Sequence, residues 1–197
     1  EYMEQSAPIA VVVLLRWSMR LFPVSGEIES AGFDNQEGGV EQRQRLPYFA
    51  LEGSRFVLDG DAKQAATRKF IESFTSTGLP TVVIYPVPEV GWHLPKMNWL
   101  AAKQGDQLAD EVSTRYDLYQ QRNALVIRAL DSVPDQPSLK RIFPDRLFCA
   151  GSPENRRCVA QQGGVPLYAD ADHLNAAGAK KLVAEIISGI APVGKQH

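Results

Sequence analysis

The apolar run IAVVVLL at residues 9–15 is the feature that most limits how this chain can fold. Three valines followed by two leucines leave no polar face, which is typical of a β-strand buried on both sides in a parallel sheet. The run is far shorter than the roughly 20 apolar residues that a membrane-spanning helix needs. We therefore expect a strand whose two faces are both covered.

A helix and a second strand follow this run. Residues 59–78 have an acidic start, apolar positions at helical spacing and a glycine at the end, which predicts a helix that stops at Gly78. The stretch LPTVVIYPVPEVGW at 79–92 predicts a strand that opens into a loop, because Pro86 and Pro88 lack the N–H that a sheet requires. Strands that alternate with helices predict parallel βαβ units and an α/β fold.

The remaining segments predict fewer elements. We expect a long helix at about 106–132, a weaker strand within 139–148 and a final helix at about 175–188. Residues 22–56 are rich in Gly, Gln and Glu without periodicity, and we interpret them as a surface insertion with a short hairpin within 45–58. No second domain boundary is visible, so residues 1–197 are predicted to form one domain.

Composition narrows the class of partner. The chain is 44% hydrophobic and 22% charged with a formal net charge of -2, as in a soluble globular protein. This balance gives no electrostatic reason to expect nucleic acid or an anionic membrane, so we expect a small or neutral partner. The chain begins without Met and without a signal peptide, and we expect it to be part of a longer polypeptide.

Two cysteines, Cys149 and Cys158, lie in one polar loop. A disulfide between them would restrain flexible backbone and would indicate an oxidising compartment such as the periplasm. Two independent thiols are the alternative, and the spacing matches no usual pair of zinc ligands.

The segment DADH brings Asp170, Asp172 and His173 together just before the last helix. A tight turn can place the Asp170 carboxylate on one imidazole nitrogen, so that His173 acts as a base and Asp170 orients it. The alternatives are a helix cap, in which Asn175 or Asp172 binds the first turn of the helix, and a metal site that includes His93. Because parallel strands present ligands at their carboxyl ends, this segment should meet the two loops that follow the strands.

Five motifs in this order resemble one known family. They are a strand ending in Arg16, Trp17 and Ser18, the P-V-P-E-x-G-W loop at 86–92, the long helix, the paired cysteines, and D-x-x-H-L-N-x-x-G-A at 170–179. Together they are similar to the SGNH-hydrolase-like domain at the C-terminal end of membrane acyltransferases that O-acylate bacterial surface glycans.

The resemblance implies a flavodoxin-like three-layer α/β/α fold with a parallel sheet, incomplete at its N-terminus. It also implies a domain at the periplasmic face of the inner membrane, with a membrane acyltransferase portion ahead of it in the same polypeptide. The expected reaction is transfer of an acyl group, acetyl by expectation, to a glycan acceptor such as lipopolysaccharide, or hydrolysis of such an ester, without a metal or cofactor. His173 matches the catalytic base and Asp170 its carboxylate, while Arg16 and Trp17 line the site.

The sequence departs from this family at the nucleophile. The family carries its serine in a Gly-Asp-Ser block on the first strand, and that tripeptide is absent here. Ser18 is more simply a structural serine, so we expect the nucleophile in sequence upstream of this chain. A non-catalytic glycan-binding or scaffolding domain is the alternative. For either function Trp92 and Trp99 could stack on sugar rings, although both are more typical of core or loop anchors.

Overall fold

The structure is a computed structural model that describes residues 9–17, 33–40 and 60–190, without the side chains of 60–63. The hairpin predicted within 45–58 lies outside these ranges, as does Ser18. In chain order the elements are β1 (Val11–Val13), α1 (Gly60–Thr75), β2 (Thr81–Ile84), α2 (Leu94–Gln104), β3 (Val112–Arg115), α3 (Tyr116–Asp131), β4 (Leu139–Ile142), α4 (Pro144–Phe148), β5 (Cys149–Ala150), β6 (Arg157–Gln162), β7 (Val165–Pro166) and α5 (Ala176–Ile190).

A parallel sheet forms the centre of the molecule, in the order β1–β2–β4. Successive side chains of β2 point to opposite faces, as in any strand. Val83 packs with Ile71 of α1 and Val126 of α3, whereas Val82 packs with Leu182 of α5. Helices therefore cover the sheet on both sides, and the predicted α/β class with a parallel sheet is confirmed.

The first strand differs from its prediction in one respect. Val13 is buried, but Val12 on the other face is 43% exposed, and Leu14 and Leu15 beyond the strand are also exposed. In the part of the chain that the structure describes, β1 lies at the edge of the sheet, and only one of its faces is covered. The expectation of burial on both faces was wrong for these residues, because an apolar run does not tell a central strand from an edge strand.

A second, antiparallel sheet was not predicted. It has the order β3–β6–β5, with β7 paired to β6. The predicted long helix at 106–132 was wrong over its first part, since β3 occupies Val112–Arg115 and α3 begins only at Tyr116. The helix α2 was also missed. It ends at Gly105, which adopts a left-handed φ of 77° and closes the helix with backbone hydrogen bonds.

The disulfide is confirmed. Cys149 of β5 lies directly opposite Cys158 of β6 in the antiparallel register, with a Cα–Cα distance of 3.9 Å. The bond closes the loop between these two short strands and so fastens the second sheet at one edge.

Candidate functional site

Three loops meet at the carboxyl edge of the parallel sheet, as the strand order predicts. Arg16, just beyond β1, joins the other two. Its Nε lies 3.0 Å from Oε1 of Glu89 in the loop after β2, and its Nη1 lies 3.0 Å from Oδ2 of Asp172. One guanidinium therefore ties together segments that are far apart in sequence.

The loop after β2 also holds the DADH turn through its backbone. The N–H groups of Val90 and Gly91 both donate to the Ala171 carbonyl at 3.0 Å. The Tyr168 hydroxyl donates to the Pro88 carbonyl at 2.8 Å. The proline-rich loop after β2 therefore fixes the position of the turn that carries His173.

Asp170 and His173 form the pair that the motif predicts. Oδ1 of Asp170 accepts the backbone N–H groups of Asp172 and His173 at 3.0 and 2.8 Å, which closes the turn. The same carboxylate lies 2.9 Å from Nδ1 of His173 through Oδ2. With Nδ1 held by Asp170, Nε2 is the ring nitrogen that can exchange a proton with a substrate or nucleophile.

The charges around this pair favour the ionised carboxylate and a protonated ring. Partial burial raises the pKa of Asp170, but the backbone N–H groups of Asp172 and His173 and the His173 ring outweigh it and lower this pKa to about 2. The hydrogen bond to Asp170, together with the charge of Asp172, raises the pKa of His173 above its ordinary 6.5, against partial burial and the charge of Arg16. A raised pKa makes His173 a stronger base in its neutral form.

Asp172 lies in the turn, and its side chain makes a contact that the sequence did not predict. Its side chain is only 7% exposed and is bound to Arg16, with Oδ1 3.4 Å from Nδ1 of His173. Of Asp172 and Asn175, only Asn175 caps the last helix, since its Oδ1 accepts the N–H groups of Ala177 and Gly178. Asp172 is thus a residue of the turn, where its backbone N–H donates to Asp170, and the alternative in which Asp172 caps the helix does not apply.

Glu89 and Arg122 were not found from the sequence. Glu89 is 6% exposed and forms ion pairs with both Arg16 and Arg122, and the Arg122 side chain from α3 is also buried. The only signal available was an acidic residue in a loop at the carboxyl end of a strand. We call Arg16, Glu89, Arg122 and Asp172 the buried network.

A cavity of about 400 Å³ opens beside His173. Its walls are mainly aliphatic, while Arg16, Glu89, Asp172 and His173 form the polar end. The lining residues include Leu14, Leu15, Val87, Leu174, Leu182, Val183 and Ile186. None of the described residues that line it is a serine, a threonine or a cysteine.

The tryptophans occupy three different environments. Trp17 has no exposed surface and its indole N–H donates to the Ile84 carbonyl at 2.9 Å, and it is one of the residues that line the cavity. Trp92 is half-buried and packs over Gly38 and Gly39. Contact of either ring with substrate stays a prediction. Trp99 on α2 is exposed.

Part of the predicted surface insertion is packed against the site. Asn35 is fully buried, and its amide donates to the Val90 carbonyl at 2.9 Å. A side chain at Gly39 would collide with Asn35 and with the Trp92 ring. Residues 33–40 thus lie at the surface, as expected, with Phe33, Asn35 and Gly39 buried and the other five residues exposed.

Asp170, Asp172 and His173 also satisfy the spacing of a metal site, with one donor atom each within 4.8 Å. Their donors already have other partners, because Asp170 accepts two backbone N–H groups and Asp172 binds Arg16. His93 lies apart from them as the cap of α2, where its Nδ1 accepts the Lys96 N–H. We interpret the cluster as an ion-pair network.

Comparison with known protein families decides the assignment. A family model described as "SGNH domain (fused to AT3 domains)" matches residues 1–188. The chain belongs to this family. Neither a search of curated proteins nor a search of solved structures found a match. No helix in the described part of this SGNH domain has the length and apolar character to cross a membrane.

Among the described residues of the SGNH domain, no serine lines the cavity. Ser18, Ser25 and Ser54 lie outside the described residues. Ser152 lies in an exposed turn of the antiparallel sheet region, between β5 and β6. The described part of the site thus contains an oriented histidine and a cavity, without a hydroxyl or thiol in the cavity wall.

Proposed function

We propose that this domain catalyses acyl transfer or ester hydrolysis, with His173 as general base and acid and Asp170 as its orienting carboxylate. The observation that carries the proposal is the 2.9 Å contact between Asp170 and Nδ1 of His173 at the mouth of the cavity. Membership of a family fused to AT3 domains supports the acyltransferase class. Asp170 stabilises the imidazolium that forms during the reaction, and it fixes the tautomer that leaves Nε2 basic.

The reaction needs a hydroxyl nucleophile, which we propose is a serine from a segment outside the described residues. The serine oxygen attacks the acyl carbonyl while Nε2 of His173 takes its proton, and the leaving alcohol then receives that proton. In the second half, the oxygen of an acceptor hydroxyl or of water attacks the acyl carbonyl while Nε2 takes its proton, the serine ester bond breaks, and Nε2 returns the proton to the serine oxygen. The exposed apolar side chains of Leu14, Leu15 and Val183 beside His173 form a surface that such a segment could cover.

The acceptor and the compartment belong to the same proposal. We propose a bacterial surface glycan as acceptor, an acetyl group as the transferred acyl group, and the periplasmic face of the inner membrane as the location. The disulfide between Cys149 and Cys158 supports an oxidising compartment. The family's fusion to AT3 domains supports a membrane acyltransferase portion in the same polypeptide.

Acyl release from a nitrophenyl ester by the whole polypeptide tests this function. We expect turnover in the wild type and a loss of about a thousandfold or more in His173→Ala, with an unchanged circular dichroism spectrum. Lys181→Ala is the matched control, since Lys181 is exposed on α5 and lies outside the cavity wall. Wild-type turnover in His173→Ala, or no turnover in the wild type, would contradict the proposal and favour a non-catalytic glycan-binding domain.

A further inference from the structure

The helix α2 presents a stripe of four exposed side chains. Lys96, Trp99, Leu100 and Lys103 follow one another at intervals of three, one and three residues, which places them on one face of a helix. Trp99 is 56% and Leu100 is 41% exposed. We call these four residues the α2 stripe.

The rest of α2 is fastened to the protein. Leu94 is fully buried, and Met97 packs with the core that contains Tyr168. The Asn98 amide donates to Oε1 of Gln161 at 2.9 Å, which ties the helix to β6. The stripe is therefore held on a rigid support with its four side chains directed to the surface.

The stripe combines positive charge with apolar surface. The α2 sequence contains two lysines and no acidic residue, although the whole chain has a net charge of -2. Nζ of Lys103 lies 4.3 Å from the centre of the Trp99 ring. The ammonium itself thus lies over the indole in a cation–π contact, which puts positive charge beside apolar surface and suits a boundary between apolar and charged surroundings.

We propose that the α2 stripe binds the surface of an anionic lipid bilayer. Trp99 and Leu100 would enter the headgroup region, and Lys96 and Lys103 would pair with lipid phosphates. A neutral sugar is a poorer match, because Lys103 already covers one face of the Trp99 ring and two lysines add little to stacking. The family's fusion to AT3 domains places a membrane within reach of this domain.

The position of α2 gives this contact a consequence for the site. The helix starts at Leu94, directly after the loop in which Glu89, Val90 and Gly91 hold the DADH turn. A bilayer bound to the stripe would thus lie near the carboxyl edge of the sheet, where the candidate site is.

Vesicle binding by this chain tests the proposal without any enzymatic step. We expect the protein to sediment with vesicles of phosphatidylglycerol and phosphatidylcholine in equal parts, and to bind pure phosphatidylcholine much more weakly. Tryptophan emission should shift to shorter wavelength on binding. Trp99→Phe should remove that shift, because Trp17 is buried and Trp92 is half-buried. Lys96→Gln and Lys103→Gln should each weaken binding about fivefold at low salt.

The control variant removes two lysine charges from a different helix, α5. Lys180→Gln combined with Lys181→Gln takes two exposed positive charges from α5 and should leave binding nearly unchanged. An equal loss in this control would assign the effect to overall charge or to α5 and would overturn the proposal. Absence of sedimentation with anionic vesicles would also overturn it, as would a Trp99 emission change caused by a soluble oligosaccharide alone.

Discussion

Two groups of charged residues lie side by side at the carboxyl edge of the sheet, and they differ in their exposure to solvent and in the segments that they connect. The pair Asp170–His173 is largely exposed, with 70% of the His173 side chain open to solvent. The buried network of Arg16, Glu89, Arg122 and Asp172 is nearly closed to solvent and joins three loops.

This difference separates chemistry from position. An exposed ion pair contributes little to stability and can exchange protons with a ligand. Removing one member of a buried pair leaves a charge without its partner, which is costly. We therefore expect changes in the network to act on folding first, and changes in the exposed pair to act on the protonation of His173.

The largest effect is expected at Glu89. Glu89→Ala removes the acid that both Arg16 and Arg122 contact, so the free energy of unfolding should fall by about 3–5 kcal/mol. Urea unfolding at neutral pH measures this change. Glu185→Ala, on the exposed face of α5, should cost less than about 0.5 kcal/mol. Similar losses in both variants would erase the distinction between the two groups.

Asp172→Asn should have the next largest effect. The amide keeps the shape but loses the charge that binds Arg16, so we expect a loss of about 1–3 kcal/mol in the free energy of unfolding. The matched variant is Asp170→Asn, which makes the same chemical change at the other aspartate that contacts Nδ1 of His173.

Asp170→Asn should cost less than about 1 kcal/mol at neutral pH. Asp170 is partly exposed, and the amide oxygen of the variant can still accept the backbone N–H groups of Asp172 and His173. Urea unfolding of the two asparagine variants under the same conditions compares them directly. A greater loss from Asp170→Asn than from Asp172→Asn would reverse our assignment of the structural role.

The smallest effect is a pH dependence at His173. Folding raises the pKa of His173 above 6.5, so the protonated ring stabilises the folded state below pH 6.5, and this contribution disappears as the pH rises through the folded pKa. His173→Asn should therefore be less stable than the wild type at pH 5 and equal to it at pH 9. Thermal unfolding at the two pH values checks the sign, and a difference that grows with pH would contradict it.

The sequence predicted the parts of the fold and site that depend on near neighbours. Apolar runs located β1 and β2, whereas the weaker strand candidate at 139–148 contains β4 only in its first four residues and the helix α4 in its second half. The spacing of Asp170 and His173 was enough to predict their contact. The buried network was out of reach because its contacts are distant in sequence. Arg16 and Glu89 are 73 residues apart, and nothing local distinguishes Glu89 from any other loop glutamate.

The antiparallel sheet was missed for a related reason. The four residues of β3 merge without a break into the helical pattern of α3, which starts at the next residue. Short strands of this kind form because a partner strand is available, here β6, and their own sequence carries little signal. The edge position of β1 likewise depends on its neighbours in the sheet rather than on its valines.

The hydrogen bond to Asp170 orients the His173 ring and raises its pKa, and an NMR titration of His173 tests this directly. We expect a His173 pKa above 6.5 in the wild type and a lower one in Asp170→Asn, because the hydrogen bond to Asp170 is the largest influence on the pKa of the ring. A His173 pKa at or below 6.5 in the wild type, or one unchanged by Asp170→Asn, would contradict this role of Asp170.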